Sequence, residues 1–143
     1  MNKAQIELRQ DVTAHNTANR LKIDWTNVRR IVVVRLRSIG DTVLATPALV
    51  ALRRFLPNAQ IDVLLEDWVA PLLEGFEAVD NILTVKKSDT YDRLRVMLKL
   101  ARLRYDVVYN LHGGTTAGFF SAATFSRHRV GFSSYQNKFL YNI

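Results

Sequence analysis

The 143-residue chain has no cysteine, only three prolines and only six glycines. Without cysteine, disulfide staples and thiolate metal sites are excluded, which fits a reducing compartment. There is no low-complexity tract, internal repeat or Gly/Pro-rich linker. Long apolar runs are missing too. The longest nearly apolar stretch, Val43–Leu52, is about ten residues and contains Thr46 and Pro47, roughly half of what a membrane-spanning helix needs. The opening stretch MNKAQIELRQDVTAHN is polar and has no apolar h-region, so it is no secretory signal. The three histidines, His15, His112 and His128, are far apart with no i,i+4 partner. No Asp-x-Asp pattern is present to hold phosphates through a cation. Neither a metal nor a cofactor is therefore expected. A serine hydrolase is unsupported without G-x-S-x-G, and a dinucleotide or NTP site without GxGxxG or Gly-Lys-Ser/Thr.

What is present is an ordinary globular balance, 48% hydrophobic and 23% charged, with a net charge of +7. Such a balance favours an anionic partner: nucleic acid, anionic lipid or a phosphorylated small molecule. The excess is uneven. Lys86–Arg104 carries seven basic side chains against Asp89 and Asp92, a net of +5. Within it, Arg93–Arg104 (RLRVMLKLARLR) has apolar residues at 94, 97, 98, 101 and 103. These read as the core face of a helix whose other face is a solvated positive surface. The sharper reading is a helix lying on an anionic membrane. The basic residues are not interleaved with aromatics in a nucleic-acid pattern, so no nucleic-acid partner is expected.

Residues 1–28 read as a polar leader outside the core, with scattered apolar residues such as Ile23 and Trp25 that could pack a short helix on the domain. From Arg29 strand and helix signals alternate. Strands are expected at about 30–36, 60–65, 81–85, 106–111 and 129–132. Helices are expected at about 41–56, 68–74, 91–104 and 116–126, with Pro47 a candidate kink and Gly75 a helix C-cap residue. Alternation with such short connections predicts an α/β domain, a Rossmann-like doubly wound parallel sheet. The last residues, Phe139–Ile143, are apolar with no terminal signature and read as an interruption.

Two loops fall at the strand ends where open α/β sheets bind ligands. The first is Arg35-Leu36-Arg37-Ser38-Ile39-Gly40-Asp41. Asp41 is a candidate general base, because a carboxylate beside a cleft can take a proton from an attacking hydroxyl. It is equally a helix cap, where Asp is favoured and suits the helix dipole. Gly40 and the turn from Ser38 could bring backbone amides to an anion, or Gly40 could serve only a tight turn. Arg35 and Arg37 either meet a ligand's phosphates or merely sit in solvent. The second loop is His112-Gly113-Gly114-Thr115-Thr116. Its glycines allow close approach, its helix start offers N–H groups, and its threonines offer hydroxyls to sugar or phosphate. The plain alternative is a flexible turn with Thr115 or Thr116 as N-cap. Glu66-Asp67 reads as a loop or cap pair.

In order along Arg29–Ile143, these pieces resemble glycosyltransferase family nine, the lipopolysaccharide heptosyltransferases. The resemblance is carried by Ile31–Leu36 with Ser38–Asp41, Thr46–Leu49, Phe55–Ala59 and Ile61–Leu64. It continues through Tyr105–Val108, Asn110–Gly114, Arg129–Phe132 and Phe139–Asn142. It implies the N-terminal half of a GT-B fold, with residues 29–143 as the acceptor-binding Rossmann-like domain and a C-terminal nucleotide-sugar domain outside this chain. It further implies metal-independent, inverting transfer of a heptose from an ADP-sugar to a phosphorylated inner-core glycolipid, at the cytoplasmic face of the inner membrane. Asp41 then becomes the general base. Arg35, Arg37, Ser38, Gly40, His112, Gly113, Gly114, Thr115 and Thr116 become acceptor-binding residues. Thr116 stands where many members carry Arg or Lys, and Asn110 where the motif usually has Asp. The competing expectation is a non-catalytic truncated module that binds an anionic glycan or membrane.

Overall fold

The computed structural model describes residues 22–135 and 137–143. Residues 1–21 of the expected leader, with His15, lie outside the described residues. The body is a five-stranded sheet in the order β3-β2-β1-β4-β5, with strands β1 (Arg30–Val34), β2 (Gln60–Glu66), β3 (Asn81–Val85), β4 (Val107–Asn110) and β5 (His128–Val130). Every pairing is parallel. The central strand β1 is apolar on both sides because both faces of the sheet are covered. Three helices connect the strands: α1 (Ile39–Phe55), α2 (Thr90–Leu103) and α3 (Thr115–Ala123).

The alternation of the strands sorts the core into two layers. Ile31, Val33, Val63, Leu65 and Val107 pack against Leu49 of α1 and against Val69, Ala70 and Leu73. Val32, Val34, Leu64, Leu83 and Val108 pack on the other face against Val96 and Leu100 of α2 and Ala117 and Phe120 of α3. Helices on both faces of a parallel sheet make the domain Rossmann-like and doubly wound, as expected.

Three expectations change. Helix α1 starts at Ile39, because Ser38 rather than Asp41 is the N-cap: its hydroxyl accepts the Asp41 N–H at 3.3 Å. Pro47 lies inside α1 without ending it. Proline removes the N–H that would reach the Val43 carbonyl, and the Thr46 hydroxyl donates to that oxygen instead, at 2.7 Å. The helix expected over 68–74 is a four-residue 3₁₀ turn, Ala70–Leu73, with Pro71 in its first turn and Gly75 just beyond it at φ 75°. Lastly, the core face of α2 is Asp92, Val96 and Leu100, with the expected Met97 and Leu103 packed at its margin, while Leu94 and Leu98 face solvent. The i, i+4, i+8 stripe through 92 wins because the Asp92 carboxylate accepts the Lys86 N–H at 2.7 Å and sets the helix's rotation on the sheet.

The residues just before β1 join the body. Asp24 caps the short turn Trp25–Asn27. Trp25 meets Phe55 of α1 edge-on, with ring centroids 5.4 Å apart, and Val28 is buried.

Candidate functional site

The carboxyl ends of β1, β2 and β4 form one edge of the sheet, and the two expected loops meet there. Arg35 links them. One guanidinium nitrogen, Nη1, donates to the Leu111 carbonyl after β4, and the other, Nη2, lies 2.5 Å from Asp41 Oδ2. Arg35 is only 14% exposed, whereas the Asp41 side chain is 52% exposed. Arg35 therefore acts as an internal strut holding an open carboxylate. Ser38 completes the hold: its hydroxyl donates to the same Oδ2 at 2.9 Å. Among the described residues, Oδ1 has no partner. Asp41 sits in the first turn of α1, where the helix dipole favours its charge, although it is not the cap.

Backbone strain gathers at this point. Ser38 has φ 44° and ψ 154°, a sparsely populated conformation for a residue with a Cβ. Gly40 is an ordinary helical residue, and a Cβ there would meet nothing within 4 Å. The tight turn thus rests on Ser38, not on Gly40, whose missing side chain leaves open space beside Asp41. Arg37 is exposed and makes no ion pair among the described residues.

The second loop is locked rather than flexible. The buried side chain of Asn110 ends β4, and its Oδ1 accepts the N–H groups of His112 at 2.9 Å and Gly113 at 3.1 Å. Its amide donates to the Tyr141 hydroxyl, and its carbonyl accepts the Tyr135 hydroxyl at 3.2 Å. Gly113 has φ 78°, and a Cβ there would collide with the Tyr135 ring. Gly113→Ala is expected to cost about 2 kcal/mol through strain and overpacking, read as a fall in the urea midpoint. An unchanged midpoint would mean that Tyr135 moves away freely. Gly114, not Thr115 or Thr116, is the N-cap of α3, and it supplies no side-chain cap. The first helical bond runs from Gly118 N–H to the Gly114 carbonyl. The amides of Thr115, Thr116 and Ala117 are left for an anion.

His112, the first residue of the second loop, is half-buried. Burial holds its pKa below the ordinary 6.5, Arg35 and Arg37 push it further down, and Glu66 and Asp41 oppose them. A histidine depressed in the folded state binds protons better when unfolded. Its contribution to stability is therefore present above pH 6.5 and is lost as pH falls through the lowered folded value. In His112→Gln, this acid-side loss should shrink. Proton NMR of the ring checks the direction: a midpoint above 6.5 would contradict it.

Glu66 is not a loop residue. It is the last residue of β2 and buried, its N–H donates to the Leu36 carbonyl at 2.6 Å, and its carboxylate accepts the Trp68 indole N–H at 2.7 Å. Trp68 is thereby fixed with half its surface exposed. Asp67 accepts the neighbouring Trp68 N–H at 2.9 Å but caps no helix, because the N-cap of the Ala70–Leu73 turn is Val69. Trp68 is the edge residue that motif reading passed over, while Glu66 was read only as a loop or cap residue and Asn110 only as a departure from the family motif. The one available signal was polarity, a Glu closing the apolar run Val63–Leu65 and an Asn closing Val107–Tyr109. Among the described residues, no group of three His, Cys, Asp or Glu side chains could hold a metal. An apolar hollow of about 350 Å³, lined by Leu49, Phe55, Tyr109 and Leu111 among others, lies between α1 and the strands β1 and β4.

Comparison with solved structures places this geometry. The structure of a glycosyl transferase family 9 protein from Veillonella parvula matches with a TM-score of 0.66 and 25% identity, over 73% of this chain and 31% of that one. The fold is that of the family 9 glycosyltransferases. Within it, the E. coli ADP-heptose LPS heptosyltransferase II matches with a TM-score of 0.69 and 24% identity, over 79% of this chain and 33% of that one. The E. coli heptosyltransferase WaaC, solved with ADP, matches with a TM-score of 0.60 and 19% identity, over 78% and 37%. WaaC has also been solved with ADP-2-deoxy-2-fluoro heptose. The chain thus spans about a third of the length of these family 9 structures. No family model matches the chain, nor does any curated protein sequence.

Proposed function

We propose that this domain is the acceptor-binding half of an inverting, metal-independent glycosyltransferase. It would move a heptose from an ADP-sugar onto a phosphorylated inner-core glycolipid, the donor being held by a second domain. The observation that carries the reading is Asp41, an exposed carboxylate held at one oxygen by Arg35 and Ser38, at the ligand edge of a family 9 fold.

The chemistry follows from that placement. An acceptor hydroxyl near Oδ1 loses its proton to Asp41 as its oxygen attacks the anomeric carbon from the face opposite the leaving ADP. The new glycosidic bond forms as the bond to the diphosphate breaks, so the anomeric configuration inverts. Arg35 and Ser38 keep the carboxylate from rotating away, which preserves orientation during proton transfer. Arg37 and the open amides at the start of α3 supply positive potential for an acceptor phosphate, in place of the basic side chain that Thr116 does not provide. His112, kept neutral, can exchange a hydrogen bond with a sugar hydroxyl without adding charge.

The test is turnover by the natural protein with ADP-heptose and a heptose-deficient inner-core glycolipid. Acceptor-dependent ADP release, with a product heavier by one heptosyl unit and insensitive to EDTA, supports the reading. ADP-heptose left intact, with the same acceptor bound tightly, would move the domain to the binding-module class.

A further inference from the structure

Trp68 is a large ring that the fold fixes at the carboxyl edge of the sheet without burying it. It stands just past the end of β2, half exposed. The turn beneath it is anchored on both sides. The Glu66 N–H donates to the Leu36 carbonyl of the first loop at 2.6 Å, and the Asp67 N–H donates to the Val85 carbonyl of β3 at 3.1 Å. Val69, the next residue, is fully buried. The ring itself is held by Glu66, whose Oε2 accepts the indole N–H at 2.7 Å. Glu66 is an expensive strut. A buried carboxylate is costly unless several donors satisfy it. Among the described residues, Glu66 makes no ion pair and only the Trp68 indole donates to its side chain. Its other oxygen, Oε1, is unpartnered there but is not sealed from the surface. Costly arrangements of this kind collect at binding sites rather than in cores. Besides burial, the charges that act on the His112 ring are those of Arg35, Arg37, Glu66 and Asp41, which sets the ends of β1, β2 and β4 around one space.

We propose that Trp68 and Glu66 form a sugar subsite, in which the indole face stacks on the C–H face of an acceptor pyranose and Glu66 Oε1 accepts one of that ring's hydroxyls. The inference rests on the acceptor role proposed above for this sheet edge. The chemistry of the pair selects the ligand. The indole donor is already spent on Glu66, so the ring offers its apolar faces. A pyranose presents what the pair lacks, an apolar C–H face edged by hydroxyl donors. The Glu66 charge repels phosphate, so the acceptor's anionic groups belong on the side of Arg37 and the start of α3. The subsite therefore reads a neutral ring and fixes which way round the acceptor lies. Glu66 is a positioning residue for Trp68 as well as a contact.

The isotopically labelled full chain is titrated with the heptose-deficient inner-core oligosaccharide, with its dephosphorylated form and with ADP. Trp68→Phe distinguishes the Trp68 indole signal from that of Trp25. With both oligosaccharides, nuclear Overhauser contacts should run from the Trp68 ring to sugar C–H protons, and with ADP none should appear. Trp68→Ala, at an exposed position, should weaken binding of the dephosphorylated oligosaccharide on the order of tenfold. Glu66→Gln keeps an acceptor for the indole N–H and should retain most of the affinity. Glu66→Ala should lose as much as Trp68→Ala in a chain whose circular dichroism is unchanged, and Trp68→Ala decides alone if Glu66→Ala does not fold. An oligosaccharide that shifts Ser38–Asp41 and His112–Thr116 but makes no contact with the Trp68 ring would overturn the subsite and leave the acceptor reading standing. Failure of both oligosaccharides to bind would overturn both. Unchanged affinity in Trp68→Ala would overturn the subsite, as would contacts from the Trp68 ring to the adenine of ADP.

Discussion

Asp41→Asn in the natural protein should lower kcat for heptose transfer by about 10²- to 10⁴-fold, the usual contribution of a positioned general base, with KM little changed. Asparagine keeps the size of the side chain and can still accept hydrogen bonds from Ser38 and Arg35, so the geometry of the turn should survive. What it cannot do is accept the acceptor's proton. The substitution also removes a negative charge from the first turn of α1, which costs about 0.3–1 kcal/mol of stability. These two effects separate the two roles open to Asp41. A residue that served only the helix dipole would show the small stability loss with full turnover. A general base shows loss of turnover in a protein that still melts within a few degrees of the wild type. Full turnover with reduced stability would therefore reduce Asp41 to a helix-terminus charge.

Asp62→Leu should destabilise the fold strongly. Asp62 is a buried carboxylate at the amino end of the sheet, opposite the candidate site, where it pairs in register with Asn81 of β3. Its Oδ2 accepts the Tyr105 hydroxyl at 2.5 Å and the Gln60 amide at 2.9 Å, and its Oδ1 accepts the Asn81 amide at 2.8 Å. Tyr105 is itself buried. Burial first, and then donation to Asp62, hold its pKa above the ordinary tyrosine value. Leucine would leave the Tyr105 hydroxyl without its acceptor in an apolar layer, and stranded buried donors are costly. The expected loss is about 3 kcal/mol in urea unfolding of the chain. Adding Tyr105→Phe should recover about 1 kcal/mol, because the stranded hydroxyl is then gone and the two changes are not additive. A loss below about 1 kcal/mol for Asp62→Leu alone would mean that water replaces the carboxylate and that the network contributes little.

The strands and the fold class were legible because they depend on local patterns. Ile31–Val34, Ile61–Leu65 and Val107–Val108 are short apolar runs bounded by polar turns, and alternation with helices admits few topologies. The start of α1 was misplaced by two residues because a serine with positive φ carries the turn that glycine was expected to make. The rotation of α2 was misread because Leu94 and Leu98 look like core residues until Asp92 is seen bonded to the Lys86 amide. Both strand-end loops were visible in the sequence as candidates for the ligand edge. The hold on them was not. Arg35 reaches Leu111, and Tyr135 and Tyr141 reach Asn110, across separations in sequence that no local pattern records. The Asp62–Tyr105 pair was hidden for the same reason.

The most direct measurement of the central claim is a chemical-shift titration of the isotopically labelled chain with a phosphorylated inner-core oligosaccharide that lacks the heptose to be added. The amides of Ser38–Asp41 and of His112–Thr116 should shift together, saturably, and the response should weaken when Arg37 is replaced by glutamine. Shifts confined to α2, or no shifts at a concentration that saturates binding to the natural protein, would contradict the assignment of this sheet edge as the acceptor site.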